Sequence, residues 1–458
     1  MKKYNLIFSI ITAATIVLST GGCKQGFLEG YDVDPNNPVN VSPDLILTTS
    51  EVATATVYGG DYARYSDMWM QHQAGTDRQF SSIGQYVITE SDVDNTWRFN
   101  AYGGGMIDLY TLIQEETENG NFAYVGVAKI LMAANLGLLT DGFGDIPYSQ
   151  AFQGADDISP AFDSQESIYN AILDLLTTAH TDLDADSPLS PGDDDIVFGG
   201  DVDLWHGSAN ALKARYLLHL ANRTNDYAAV LAAIDAGGIA DNSGDMQVPF
   251  GDLVNEQNLW FQFYEQRSGY LSMGAFLIDL MNDLSDPRLP AYATLNDGGI
   301  YNGAEPGEAF TSEFSVIGLF YGSANSPIPI ITYAEQKFIE AEAAFETGDD
   351  ARAASAHNEG VAASLDKVGV TDAAYIAANG SETAGTISLE KIMEQKYIAL
   401  FTQFESWTDY RRTGFPAITP AAGQVPLRFP YPSSERLYNG SNVPAGGTIS
   451  SALWWDVD

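Results

Sequence analysis

Seven aromatic residues carry the most legible chemistry in this chain: Tyr86 and Trp97 in one stretch, and Trp260, Tyr264, Tyr270, Tyr301 and Tyr321 in another. The C–H face of a sugar ring is apolar while its hydroxyls point sideways, so a glycan site pairs aromatic platforms with amide and carboxylate hydrogen-bonders. Asn95, Asn258 and Gln262 supply such groups beside the rings. The competing reading of each ring is core packing or contact with a partner protein.

Cys23, the only cysteine, is a second chemical feature. Met1-Lys2-Lys3 gives a positive start, Leu6 to Leu18 an apolar run of thirteen residues, and Thr20-Gly21-Gly22 a small-residue approach to the thiol. That is the pattern of a secretory signal, and it is shorter than the roughly 20 apolar residues a membrane-spanning helix needs. Bacterial lipoproteins are cleaved just before such a cysteine, whose thiol carries diacylglycerol while the new amino terminus takes a further acyl chain, so Cys23 is expected to be a lipid anchor. Residues 1–22 are therefore expected as a signal peptide, 23–41 as a lipidated polar tether rich in Asp, Asn and Pro, and 42–458 as a single helical domain. Several acyl chains together make a stable membrane attachment.

The residue patterns of catalysis are missing: no G-x-S-x-G, no H-E-x-x-H, no Walker A loop and no G-x-G-x-x-G. His72, His180, His206, His219 and His357 are scattered without a shared ligand spacing, which favours packing or surface roles over metal binding. With 61 acidic residues, carboxylate pairs arise everywhere and nominate no glycosidase dyad. No cofactor is expected. Asp193-Asp194-Asp195 and Asp92 with Asp94 offer hard oxygens to a structural calcium, against the alternative of a solvated charge run.

Acids outnumber the 21 Lys and Arg so heavily that the formal net charge is −40. Such a surface repels nucleic acid and anionic membrane. A neutral ligand suits it better than an anionic one, unless a local basic patch exists. One cysteine also excludes a disulfide framework.

The elements that must position the aromatic residues are mostly helical. Ala209, Leu212, Tyr216 and Leu220 fall on one helix face, and Ile331, Ala334, Phe338, Ala341 and Phe345 repeat the spacing. That second helix stops at Thr347-Gly348-Asp349, and 351–368 reads as its antiparallel partner, a hairpin of tetratricopeptide size. Further helices are predicted over 45–71, 105–118, 122–140, 165–183, 227–236, 271–282 and 389–401. Two stretches stay irregular, 72–102 and 241–326, the latter holding thirteen aromatic residues with only Arg267 and Arg288 as bases. Long irregular segments on a helical frame are where binding surfaces usually lie. Trp454-Trp455 reads as a packing anchor for the tail.

Several blocks resemble the SusD/RagB family of Bacteroidetes surface lipoproteins, nearer its divergent branch. Asp141-Gly142-Phe143-Gly144-Asp145-Ile146-Pro147-Tyr148-Ser149-Gln150-Ala151 is similar to the family's D-x-x-G-D-I-P-Y-S-x-A run. Gly200-Asp201, Trp205, Ala209-Asn210-Ala211-Leu212-Lys213 and Arg215 are similar to its G-D…W…A-N-S-L-K-x-R helix. Asp286-Pro287-Arg288-Leu289-Pro290 matches a D-P-R-L-P turn. Glu405-Ser406-Trp407, Tyr410-Arg411-Arg412 and Arg428-Phe429-Pro430-Tyr431-Pro432 match its closing signature. The resemblance implies a mostly α fold, SusD-like, with four tetratricopeptide-like helical hairpins and an aromatic-rich loop layer. It implies a non-enzymatic lid on a SusC-like TonB-dependent transporter at the cell surface, capturing oligosaccharide. A peptide ligand, or a surface hydrolase, is the alternative. Within these blocks, Asp286 with Arg288, and Glu405 with Arg411 and Arg412, are expected as ion pairs that fix loops rather than touch ligand.

Overall fold

The computed structural model describes residues 41–154 and 157–457. Cys23, the signal peptide and all but the last residue of the tether lie outside the described residues. From Pro43 onward the chain packs as one compact unit.

Helices dominate. The first are α1 (Pro43–Gly59), α2 (Asp61–Trp69), α3 (Ile107–Asn119), α4 (Phe122–Phe143), α5 (Gln165–Leu183), α6 (Val202–Thr224) and α7 (Tyr227–Asp235). After them come α8 (Leu259–Gln266), α9 (Ala275–Asp283), α10 (Tyr333–Glu346), α11 (Asp350–Lys367), α12 (Leu389–Ala399) and α13 (Glu405–Thr413). Sequence neighbours pack as hairpins, α4 on α5, α6 on α7 and α10 on α11, while α5 against α6 and α7 against α10 stack one hairpin on the next. α4 is long and apolar enough to cross a membrane by composition, but 89% of that stretch is buried inside the fold. It is the central core helix. Gly137 on α4 is required by closeness: a Cβ there would sit 2.1 Å from the Tyr216 hydroxyl of α6. Burial of a large apolar side chain such as those lining this crossing contributes about 1.5–3 kcal/mol.

Side-chain caps fix several helix starts. Ser164 accepts from the Ser167 amide, Asp201 from the amides of Asp203 and Leu204, and Ser388 from that of Lys391. Each satisfies amides that have no partner within the helix.

Three expectations need correction. The predicted helix over 45–71 is two helices broken at Gly60, where Gly59 also runs against Ile328 so closely that a Cβ would meet its side chain at 2.3 Å. The predicted helix over 271–282 gives up its first residues to a strand, because the helix starts only after Gly274, whose backbone is extended, and the amides before it find partners elsewhere. The stretch 72–102 is not wholly irregular: Arg78–Ile83 is helical and Thr96–Met106 winds in wide π-type turns.

Two small antiparallel sheets tie distant segments. β1 (Gln73–Gly75) pairs with β3 (Leu271–Met273), Ala74 opposite Ser272, and β2 (Met246–Val248) pairs with β4 (Ile328–Ile331).

The signature blocks converge in the core. His219 of α6 lies between Asp141 of α4 and Glu405 of α13, its Nδ1 3.1 Å from Asp141 and its Nε2 2.6 Å from Glu405. Arg215, one turn earlier, donates twice to Glu335 at 2.6 Å. The predicted pairing of Glu405 with Arg411 and Arg412 is not what forms. Arg412 instead binds Glu342 at 2.6 Å and Asp409 at 2.5 Å, and Arg411 donates to the carbonyl oxygens of Asp141 and Leu427 while its guanidinium lies 3.8 Å from the centre of the Trp407 ring. The geometric reason is distance along the helix: Glu405 opens α13, and Arg412, on the same face two turns later, lies about 10 Å further along the axis, while Arg411 leaves on another side. Asp286 and Arg288 do pair as expected, fully buried, with Tyr375 and Gln395 completing the guanidinium's bonds.

Candidate ligand-binding groove

The two loop stretches form one layer because β1 and β3 join them. Beyond the strands the Thr76 amide donates to the Tyr270 carbonyl at 2.9 Å, its hydroxyl to Gly269 at 2.9 Å, and the Phe310 amide donates back to Thr76 at 3.0 Å. Gly303 then passes so near Ala275 that a Cβ would lie 2.5 Å from its backbone. This close approach lets Ala304 exchange backbone bonds with Met273 and Ala275, and pins the segment 302–315 beside the start of α9.

The result is a groove along α9. Phe276, Asp279, Leu280 and Asp283 follow the i, i+3, i+4, i+7 spacing of one helix face, and that face forms the floor. Two adjoining clefts, of about 550 and 480 Å³, share Asp279 and Glu305. One wall carries Asn302, Glu308, Thr311, Glu313 and Phe314; the other carries Gln71 and Thr419. No hydrogen bond from another described residue reaches the side-chain oxygens of Asp279, Asp283, Glu305 or Glu313, so their accepting capacity is unspent. Two aromatic rings, Phe276 and Phe314, line the same space.

The predicted aromatic residues divide by burial. Tyr86, Trp97, Trp260 and Tyr321 are closed into the core, each at most 7% exposed. Their partners explain why. Trp97 donates to Glu435 at 3.0 Å and packs on Phe143; Tyr321 packs on Tyr292 and Phe401; Arg64 lies against Trp260; the Tyr86 oxygen accepts from the Ala421 amide at 3.0 Å. These four rings present no open face, a correction to the expected platforms. Tyr264, Tyr270 and Tyr301 are half-buried in the loop layer, with the Tyr264 hydroxyl donating to Gln73 at 2.7 Å. Of the polar neighbours, Asn258 is a buried helix cap, Gln262 bonds the Gln257 carbonyl, and Asn95 remains exposed. Phe276 and Phe314 belonged to the aromatic-rich stretch in the sequence, but only the fold separates them from their buried neighbours.

The acidic clusters considered for calcium are used internally. Asp195 accepts from the amides of Val197, Phe198 and Gly200 and from the Trp205 indole, and Asp92 accepts from Thr89. Beside Asp195, burial and that carboxylate push Glu51 up to about 10, so Glu51 is a protonated acid at neutral pH. Asp94 accepts from the Ser434 amide. Among the described residues, Asp141, His219 and Glu405 do approach metal-ligand geometry, but each is already bonded within the core network. Trp455 is fully buried beneath the Arg411 guanidinium, which accords with an anchoring role for the tail.

Comparison with known proteins adds to this geometry. The sequence model of the SusD-like family described as "Starch-binding associating with outer membrane" matches residues 35–432. No curated protein matches. Among solved structures, a chitin-binding protein superposes with a TM-score of 0.77 at 23% identity, over 91% of this chain and 100% of that one. A chitin-binding SusD homologue from Flavobacterium johnsoniae gives 0.76 at 23%, over 90% and 99%. A SusD/RagB family protein from Bacteroides thetaiotaomicron gives 0.74 at 23%, over 91% and 99%. Likeness at this identity establishes a shared fold.

Proposed function

This chain belongs to the SusD-like family, which associates with the outer membrane, and on that premise we propose that it is a binding protein that captures oligosaccharide in the groove along α9. It hands the captured chain to a SusC-like TonB-dependent transporter, and Cys23 anchors it by lipid to the outer face of the outer membrane. The observation that carries the reading is the groove itself: Phe276 and Phe314 offer apolar ring faces, and Asp279, Asp283, Glu305 and Glu313 offer unspent acceptors for hydroxyls. Tyr264, Tyr270 and Tyr301, half-buried in the loop layer, are further candidate contacts. Chemistry on the substrate is not part of this role.

Calorimetric titration with chitin and starch fragments tests it, since those polymers are named for similar structures and for the family. Saturable binding without product formation is expected. Failure of every oligosaccharide to bind, or sustained release of shorter products, would overturn the reading.

A further inference from the structure

A second cleft, of about 360 Å³, opens where α2, the Arg78–Ile83 helix and the segment 91–95 meet α8. Its size falls within the range of small-molecule sites, about 300–1,000 Å³. Behind it lie Tyr65, Phe80 and Phe263, whose rings are buried in the core. Around it stand Gln79, Ser91 and Asn95, all exposed, and none of their side chains has a hydrogen-bond partner among the described residues.

Two arginines set its charge. Arg64 lies 4.6 Å over the Phe263 ring and is neutralised by Asp61 at 2.9 Å, yet its Nε finds no partner. Arg267 approaches the same ring at 5.8 Å and makes no ion pair or side-chain hydrogen bond with any described residue. Of the two carboxylates at the rim, Asp61 pairs with Arg64, while Asp92 accepts from the neutral Thr89 amide and hydroxyl at 2.7 Å each and keeps its charge. The Arg267 guanidinium is therefore the one charged lining group that makes no ion pair or side-chain hydrogen bond among the described residues.

We propose that this cleft is a subsite for an acidic sugar, a uronic acid residue whose carboxylate is taken by Arg267 and whose hydroxyls are taken by Gln79, Ser91 and Asn95. A guanidinium fork matches a carboxylate in two parallel bonds, and neutral amide and hydroxyl groups match the hydroxyls around a pyranose ring. A peptide carboxyl terminus shares the charge but leaves three neutral hydrogen-bonders without a matching hydroxylated ring. The inference rests on the oligosaccharide reading above and adds the class of sugar.

The test titrates the full mature protein with tetrasaccharides of galacturonate, glucuronate and mannuronate, each beside its carboxyl-reduced neutral counterpart, and with a short peptide bearing a free or amidated carboxyl terminus. At least one uronate is expected to bind about tenfold more tightly than its reduced form, the worth of one charge-assisted hydrogen bond. Arg267→Gln should erase that preference, and Arg267→Lys should keep part of it. Because the Arg267 side chain is exposed, melting temperature should not move, which separates lost recognition from lost fold. A preference that is absent, that survives Arg267→Gln, or that belongs to the free peptide terminus instead would overturn the acidic-sugar assignment alone. Failure of neutral and acidic oligosaccharides alike would overturn the oligosaccharide reading and this inference with it.

Discussion

His219 and Glu405, 186 residues apart in sequence, are joined in the core by a contact of 2.6 Å between Nε2 and Oε1. The opposite edge of the imidazole faces Asp141, and Tyr169 donates to that same carboxylate. The fold therefore closes on a buried cation held between two carboxylates, drawn from the helices α4, α6 and α13.

Removing the cation should be costly. His219→Leu leaves Asp141 and Glu405 facing each other without a charge between them, and breaking one member of a buried ionic set typically costs about 3–5 kcal/mol. Chemical denaturation should report that loss, whereas the double variant His219→Leu with Glu405→Gln should recover a large part of it. Equal stabilities of the single variant and the native chain would show that the contact contributes nothing.

Stability should also fall on the alkaline side. Burial alone would push His219 down, but Glu405 and Asp141 outweigh it and raise the imidazole from 6.5 to about 9. A raised folded value means the contribution is complete below pH 6.5 and is lost as pH climbs through about 9. The shift corresponds to about 3 kcal/mol. Glu405, for which burial is likewise outweighed, by His219 and Arg215, is held well below the usual carboxylate range. Its contribution is present above the ordinary carboxylate value near 4.5 and disappears only in strong acid. Melting temperatures measured from pH 6 to 10 should decline, and the decline should be smaller in His219→Leu.

Groove and core aromatics should separate experimentally. Phe314→Ala and Tyr301→Ala should weaken oligosaccharide binding by about tenfold, the worth of a lost stacking face, with melting shifted by no more than about a few degrees. Trp97→Ala should instead cost about 3–5 kcal/mol of stability, as expected for a buried ring. Parallel calorimetry and thermal melts decide the matter, and an affinity unmoved by both groove variants would place the ligand elsewhere.

Cys23→Ala should release the protein from the membrane. Metabolic lipid labelling should be lost together with membrane retention, and gentle detergent extraction of the native chain should bring a SusC-like barrel with it. Acylation that persists in the variant would refute the anchor.

What the sequence by itself determined was local or periodic. The helices over 165–183 and 389–399 begin with Ser caps and carry apolar faces, and such signals lie within a few residues of the structure they make. The D-G-F-G-D-I-P-Y run and the W…L-K-x-R helix marked the family for the same reason, being short and contiguous. Tertiary structure alone decided which aromatic rings face solvent. Trp97 and Phe314 are alike in composition and loop setting, yet one is sealed by Phe143 and Glu435 and the other lines an open groove. It also chose the partner of Glu405, because His219 and the two arginines of α13 were equally available until α4, α6 and α13 came together. Burial and long-range pairing are sums over residues distant in sequence, so no local pattern carries them.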